Sequence, residues 1–378
     1  MRGFPRIKIA AHVVLVLALS LTACAPAMQS ARTTPPAPDK PRVSVDADGT
    51  VHVPAITVPV STFLTPEGKK FLAYHLHSMQ DPRSKILPED GVPFFMQPYL
   101  ASAKAMFAVD RKDVVIAGVK GLVFTPKTGI AKGKEDKVLI NLHGGGFLGC
   151  YPACAEMESM PIAATGGYKV ITIDYRQAPK YRFPAASEDV AAVYRELLKT
   201  YKPENIGFYG CSAGGMLVGM ALAWFDKEKL PMPAAAGILC AGMTLSKGAG
   251  FGGDADFVVA PIGEANVPAE PPPPLGKGLP PLPYLADVDI NDPLAAPANS
   301  LELLAKFPPT LFITGTRAFE VSSVAYSHGR MIKAGAKAEL HVWDGLFHGF
   351  FYNPAVPESR DAYDVIVKFF DGALGKKK

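Results

Sequence analysis

Three stretches of this chain carry side chains that could work together on an acyl group. The first is Gly210-Cys211-Ser212-Ala213-Gly214-Gly215, a Gly-x-Ser-x-Gly between the apolar run Asn205 to Tyr209 and the helix-like stretch Met216 to Phe225. A strand that turns into a helix this abruptly holds its serine in a strained conformation, with the hydroxyl exposed at the edge of the sheet. The second is His143-Gly144-Gly145-Gly146-Phe147, directly after Lys137 to Leu142, which reads as a buried strand. Consecutive glycines there can turn their N–H groups toward one point, the geometry that holds a developing oxyanion. The third is His348, in Trp343-Asp344-Gly345-Leu346-Phe347-His348-Gly349, after the apparent strand Ala338 to Val342. A serine hydroxyl is a weak nucleophile at neutral pH and needs a base, and imidazole has a suitable pKa. Gly-x-Ser-x-Gly alone arises by chance in 378 residues with 35 glycines, and a lone histidine near the C-terminus is more often structural. The order glycine loop, serine, histidine makes the set specific.

Such side chains need a scaffold that brings strand ends to one edge. Strands read near 113–117, 120–126, 137–142, 168–174, 205–209, 235–240, 310–315 and 338–343, and helices near 187–200, 213–227, 322–334 and 358–373. This alternation predicts an α/β fold, with a mostly parallel eight-stranded sheet and helices on both faces. Two segments fall outside the repeat. Residues 55–108 look helical at Pro66 to His77 and Pro98 to Phe107, and residues 243–305 are Pro-rich, including Pro271 to Pro274 and Pro280-Pro281-Leu282-Pro283.

In combination these motifs resemble the hormone-sensitive-lipase-type carboxylesterases, an α/β-hydrolase family, over about residues 110–375. Asp174-Tyr175-Arg176-Gln177-Ala178-Pro179, Phe183-Pro184-Ala185-Ala186, Glu188-Asp189, Asp292-Pro293-Leu294 and Phe312 to Arg317 add to the likeness. The resemblance implies a serine carboxylesterase acting on small to medium esters without a cofactor. Ser212 would be the nucleophile and His348 the base, and the N–H groups of Gly144, Gly145 and Ala213 would form the oxyanion hole. His143 would mainly shape the loop, and residues 55–108 and 243–305 would build a cap. The family's catalytic carboxylate directly follows Gly-Thr-Arg, and that position here is Ala318, which cannot orient an imidazole. Glu320 is the expected substitute, with Asp344, Asp292 or no acid at all as alternatives. An amidase or a lipase of the same fold, or a binding lipoprotein weakened by Ala318, also stays open.

Arg2, Arg6 and Lys8 precede an apolar stretch from Ile9 to Leu21, 13 residues long, which suits a signal peptide and is short for a membrane span. Leu21-Thr22-Ala23-Cys24 resembles a bacterial lipobox, which implies a 1–23 signal peptide and a lipid on Cys24. An ordinary cleaved signal is the alternative. Residues 24–54 read as a Pro-rich tether, with the hydrolase domain over 55–378. An exported protein held at the periplasmic side of the outer membrane by its lipid is the expectation. A net charge of +4 with mixed signs gives no argument for nucleic acid, and Lys376-Lys377-Lys378 reads as a solvated tail. Of five cysteines, Cys150 and Cys154 could bridge in an oxidising compartment, although helical spacing does not favour it. Cys211 and Cys240 read as buried. No cluster has metal-ligand spacing, and His75 and His77 read as surface or cap residues.

Overall fold

The computed structural model describes residues 43–86, 88, 91–246, 251–265 and 282–375. The signal segment, Cys24, most of the cap prolines and the three terminal lysines lie outside them. The chain divides into Met1–Thr57 and Val58–Lys378. Within the first part, Ser44–Val45 pairs antiparallel with Val51–His52, so the expected tether contains a small hairpin. Its turn is closed by Thr50 N–H donating to Asp48 Oδ1 at 2.9 Å.

The second part is built on an eight-stranded sheet. In chain order its strands are β1 (Val109–Ile116), β2 (Val119–Pro126), β3 (Val138–Leu142), β4 (Lys169–Ile173), β5 (Ile206–Cys211), β6 (Ala235–Leu239), β7 (Thr310–Gly315) and β8 (Ala338–Trp343). They lie side by side as 1-2-4-3-5-6-7-8. β2 runs antiparallel to β1 and β4, and the other pairs are parallel. β3 and β5 to β7 are buried along their length, as parallel strands covered on both faces must be. β1 begins four residues before the expected start because Val109 to Lys112 is a largely exposed, polar edge segment without an apolar run.

Seven longer helices accompany the sheet: α1 (Pro66–Gln80), α2 (Gln97–Met106), α3 (Ala153–Gly166), α4 (Ala185–Leu197), α5 (Ala213–Lys227), α6 (Val321–Lys333) and α7 (Pro357–Ala373). The core forms two layers. Phe124, Tyr209, Leu239 and Phe370 pack with α3 and α7 on one face, and Ile140, Phe208, Ile238 and Phe312 pack with α4, α5 and α6 on the other. α3 is missing from the predicted helices, beyond a helical start near Cys150 and Cys154, because it is buried nearly all round, charged Glu156 and Glu158 included, so it shows no polar stripe. Of the described part of 243–305, only Ala255–Val258, Ala260–Gly263 and Leu301–Leu304 are α-helical.

Candidate active site

β5 ends at Cys211 and α5 starts at Ala213, which leaves one residue for the reversal. Ser212 takes it with φ 59° and ψ −125°, a backbone region that a side chain rarely enters and that marks functional strain. The turn fits because its flanks are bare. A Cβ on Gly210 would stand 2.3 Å from the Leu142 carbonyl oxygen, and one on Gly214 only 1.8 Å from it. Ser212 N–H donates to Leu239 O at 2.9 Å, which pins the elbow to the end of β6. The hydroxyl therefore sits at the N-terminus of α5, where the helix dipole favours developing negative charge.

His348 lies in the loop after β8. Its Nε2 is 2.9 Å from Ser212 Oγ, and its Nδ1 is 2.9 Å from Glu320 Oε2. Glu320 is completely buried, and its other oxygen accepts from Thr314 Oγ1 at 3.0 Å. Phe319 stacks on the imidazole with ring centroids 4.3 Å apart. Burial pulls the His348 pKa down, but the charge and hydrogen bond of Glu320 outweigh it and leave the pKa raised. Such a relay can draw the proton from Ser212 and stabilise the imidazolium that forms. Ala318 is buried and its side chain carries no polar atom.

The other acids are committed elsewhere. Asp344 accepts from Thr316 Oγ1 at 3.1 Å and bonds the Ser61 hydroxyl, while Asp292 accepts from Leu294 N–H at 2.9 Å.

The glycine loop corrects one expectation. Gly144 N–H donates to Glu158 Oε1 at 2.8 Å and so points away from the serine, into the protein. Gly145 and Gly146 then reverse the chain at φ 118° and 64°. The N–H groups of Gly145, Gly146 and Ala213 have no acceptor among the described residues. These three, rather than Gly144, Gly145 and Ala213, are the donors left for an oxyanion. His143 is fully buried, its pKa is lowered by desolvation to about 4, and its Nδ1 lies 2.6 Å from Gly144 O, so it shapes the loop as a neutral ring. Tyr175 hydroxyl donates to His143 O, and Ala178 N–H to Phe147 O, which gives the Asp174 to Pro179 segment a supporting role. Arg176 is fixed in turn by Asp189 at 2.8 Å and Glu188 at 2.9 Å.

Several details settle or refine the sequence reading. Cys150 and Cys154 form a disulfide. Cys150 lies just before α3 with a left-handed backbone, φ 73°, and its carbonyl oxygen accepts Cys154 N–H at 2.7 Å. His75 is buried, not a surface residue: its ring stacks on Phe347 at 3.6 Å, while His77 is exposed. Among the described residues, the Cys240 thiol comes together with Glu320 and His348, their possible metal-ligand atoms lying within 4.8 Å of one another. It is occupied as an acceptor for Gly349 N–H at 3.3 Å. A cavity of about 960 Å³ lined by Glu204, Pro309, Lys337 and Lys368 lies at the opposite, N-terminal ends of the strands, away from Ser212.

With this geometry, the chain matches the family described as having the alpha/beta hydrolase fold over residues 139–269 and 275–352. The chain belongs to that family, in its hormone-sensitive-lipase-type branch. It is 29% identical over 247 residues to an acetyl-hydrolase of Streptomyces hygroscopicus, covering 64% of this chain and 78% of that one. It is 31% identical over 267 residues to the carboxylesterase/phospholipase LipF of Mycobacterium tuberculosis, covering 67% of this chain and 66% of that relative. Among solved structures, an esterase from the bacterial hormone-sensitive lipase family superposes with a TM-score of 0.68 at 26% identity, over 82% of this chain and 99% of that one.

Proposed function

We propose that Ser212, His348 and Glu320 form the catalytic triad of a carboxylic ester hydrolase that works through an acyl-enzyme. The observation that carries it is the unbroken relay from Ser212 Oγ through His348 to Glu320, with both contacts at 2.9 Å. His348 Nε2 takes the serine proton as Oγ attacks the ester carbonyl. Glu320 holds Nδ1–H and offsets the charge of the imidazolium. The oxyanion is met by the N–H groups of Gly145, Gly146 and Ala213. His348 then protonates the leaving alcohol, and water repeats the sequence on the acyl-enzyme. Each step uses groups of the chain itself.

An acyl group of small to medium size is the substrate class we favour, and a relative named an acetyl-hydrolase supports it. We also propose export and lipid anchoring at Cys24, on the strength of Leu21-Thr22-Ala23-Cys24 after an apolar segment. The experiment for the triad is labelling with a fluorophosphonate. Ser212 should carry the adduct and Ser212→Ala none; equal labelling of both proteins contradicts the assignment.

A further inference from the structure

We infer that Glu158 is the positioning residue of this site: its carboxylate ties the oxyanion loop to the nucleophile elbow from behind and sets which way the loop's free N–H groups face. The inference rests on the ester-hydrolase reading above. Glu158 comes from α3, is 3% exposed, and its carboxylate makes no hydrogen bond to Ser212, His348 or Glu320. Its oxygens receive four donors from separate parts of the chain. Oε1 accepts Gly144 N–H and the Tyr352 hydroxyl, each at 2.8 Å. Oε2 accepts Asn141 Nδ2 at 2.8 Å and Cys211 N–H at 3.3 Å. Thus one side chain meets the end of β3, the glycine loop, the residue before the nucleophile, and the loop that follows His348.

The direction of the Gly144 N–H is what matters for chemistry. A peptide held inward at Gly144, followed by left-handed turns at Gly145 and Gly146, leaves the next N–H groups without partners inside the protein. The Cys211 bond fixes the strand two residues before Ala213, whose N–H completes the set. Remove the acceptor, and two buried backbone N–H groups lose their partner. Each such loss costs about 1–3 kcal/mol, enough for the loop to turn its peptides over. Donors aimed in advance at the developing charge are worth most when they need no reorganisation.

Protonation should break the same link, because a proton on the carboxyl group sets a donor against donors. Desolvation raises the pKa of Glu158 to about 7, while bonds from Asn141, Gly144, Tyr352 and Cys211 hold it down. The titratable groups facing it are Tyr175, Tyr209, Tyr352 and Cys211, all pushed up by burial and neutral at pH 7. No cation is among the groups that set its charge. As pH falls through about 7 one carboxyl oxygen takes up a proton, and a donor held by that oxygen must give way, Gly144 N–H or Cys211 N–H among them.

The test is the pH dependence of p-nitrophenyl acetate hydrolysis by the full chain and by Glu158→Gln. An amide has one acceptor oxygen and one NH₂, so Gly144 or Cys211 must face a donor. We expect kcat to fall about 10²-fold with KM within about threefold, as for loss of an oxyanion donor. In wild type the acid limb of log kcat/KM should steepen from slope one toward two below about pH 7, as His348 and Glu158 both take up protons; in Glu158→Gln it should stay at one. Glu158→Asp should keep the steepening with a smaller loss. A folded Glu158→Gln with wild-type or higher kcat overturns the inference, since the loop would then keep its aim without the carboxylate. So does a wild-type profile that never steepens, which decides the matter even where the variant does not fold. If Ser212→Ala also turns over ester, the ester-hydrolase reading fails; if only Glu158→Gln behaves as wild type, the failure is confined to Glu158.

Discussion

Glu320 carries one methylene more than an aspartate and stands two residues further from the end of β7 than Ala318, and the two differences offset each other. The extra stem lets its carboxylate reach back to His348 Nδ1 while Thr314 holds the second oxygen. Moving the acid to Ala318→Asp in a Glu320→Ala background should recover part of the lost turnover. Ala318→Asp alone should give no gain, because it crowds a second carboxylate into a filled, buried site; a large gain would show that Glu320 does not hold the ring. Ser212 and His348 are legible in the sequence because each lies in a short local motif with a stated job. Glu158 and the inward turn of Gly144 are not, because their meaning depends on four donors that meet only after folding.

At the scale of elements, the elbow depends on β5 and α5 passing Leu142 at a distance no side chain allows. Gly214→Ala would bring a methyl to 1.8 Å from the Leu142 carbonyl oxygen. Such overpacking against backbone should cost about 3 kcal/mol or more and be seen as a large drop in Tm with loss of turnover. A stable and active Gly214→Ala would mean that the elbow is not this tight. The disulfide before α3 is a weaker restraint. Closing a loop of sequence separation 4 is worth roughly 2 kcal/mol by chain entropy. The paired Cys150→Ser and Cys154→Ser variant should therefore lose a few degrees of Tm and stay folded. The strands are readable from apolar runs, and α1, α2 and α4 to α7 from the helix-like stretches before and between them. α3 was hidden because burial on all sides removes the periodicity by which a helix is recognised.

For the whole molecule, the strand order 1-2-4-3-5-6-7-8 explains why the motifs work as one site. It places β3 beside β5, and β7 beside β8, so the glycine loop, the serine, Glu320 and His348 all leave the same edge of the sheet. The alternation of strands and helices makes a mostly parallel sheet legible in the sequence, whereas the order in which the strands lie side by side is set only in the fold. The first 42 residues lie outside the structural description, and their role is a proposal from sequence. Cys24→Ser should abolish palmitate incorporation and leave an unprocessed precursor. Soluble mature protein from both forms would instead indicate an ordinary signal peptide. Among the described residues no helix is long and apolar enough to cross a membrane.

The most direct test of the relay is the pH profile of p-nitrophenyl acetate turnover by wild type and Glu320→Gln. The negative charge of Glu320 raises the pKa of His348, so the wild-type rate should climb with pH to an inflection above the ordinary histidine value of 6.5. Without that charge the His348 inflection should move down toward 6.5, while the Glu158 limb near 7 stays in place. Turnover should fall by about 10²- to 10⁴-fold with KM little changed. A Glu320→Gln enzyme with wild-type turnover and an unmoved inflection would contradict the account, because the base would then be oriented by something other than Glu320.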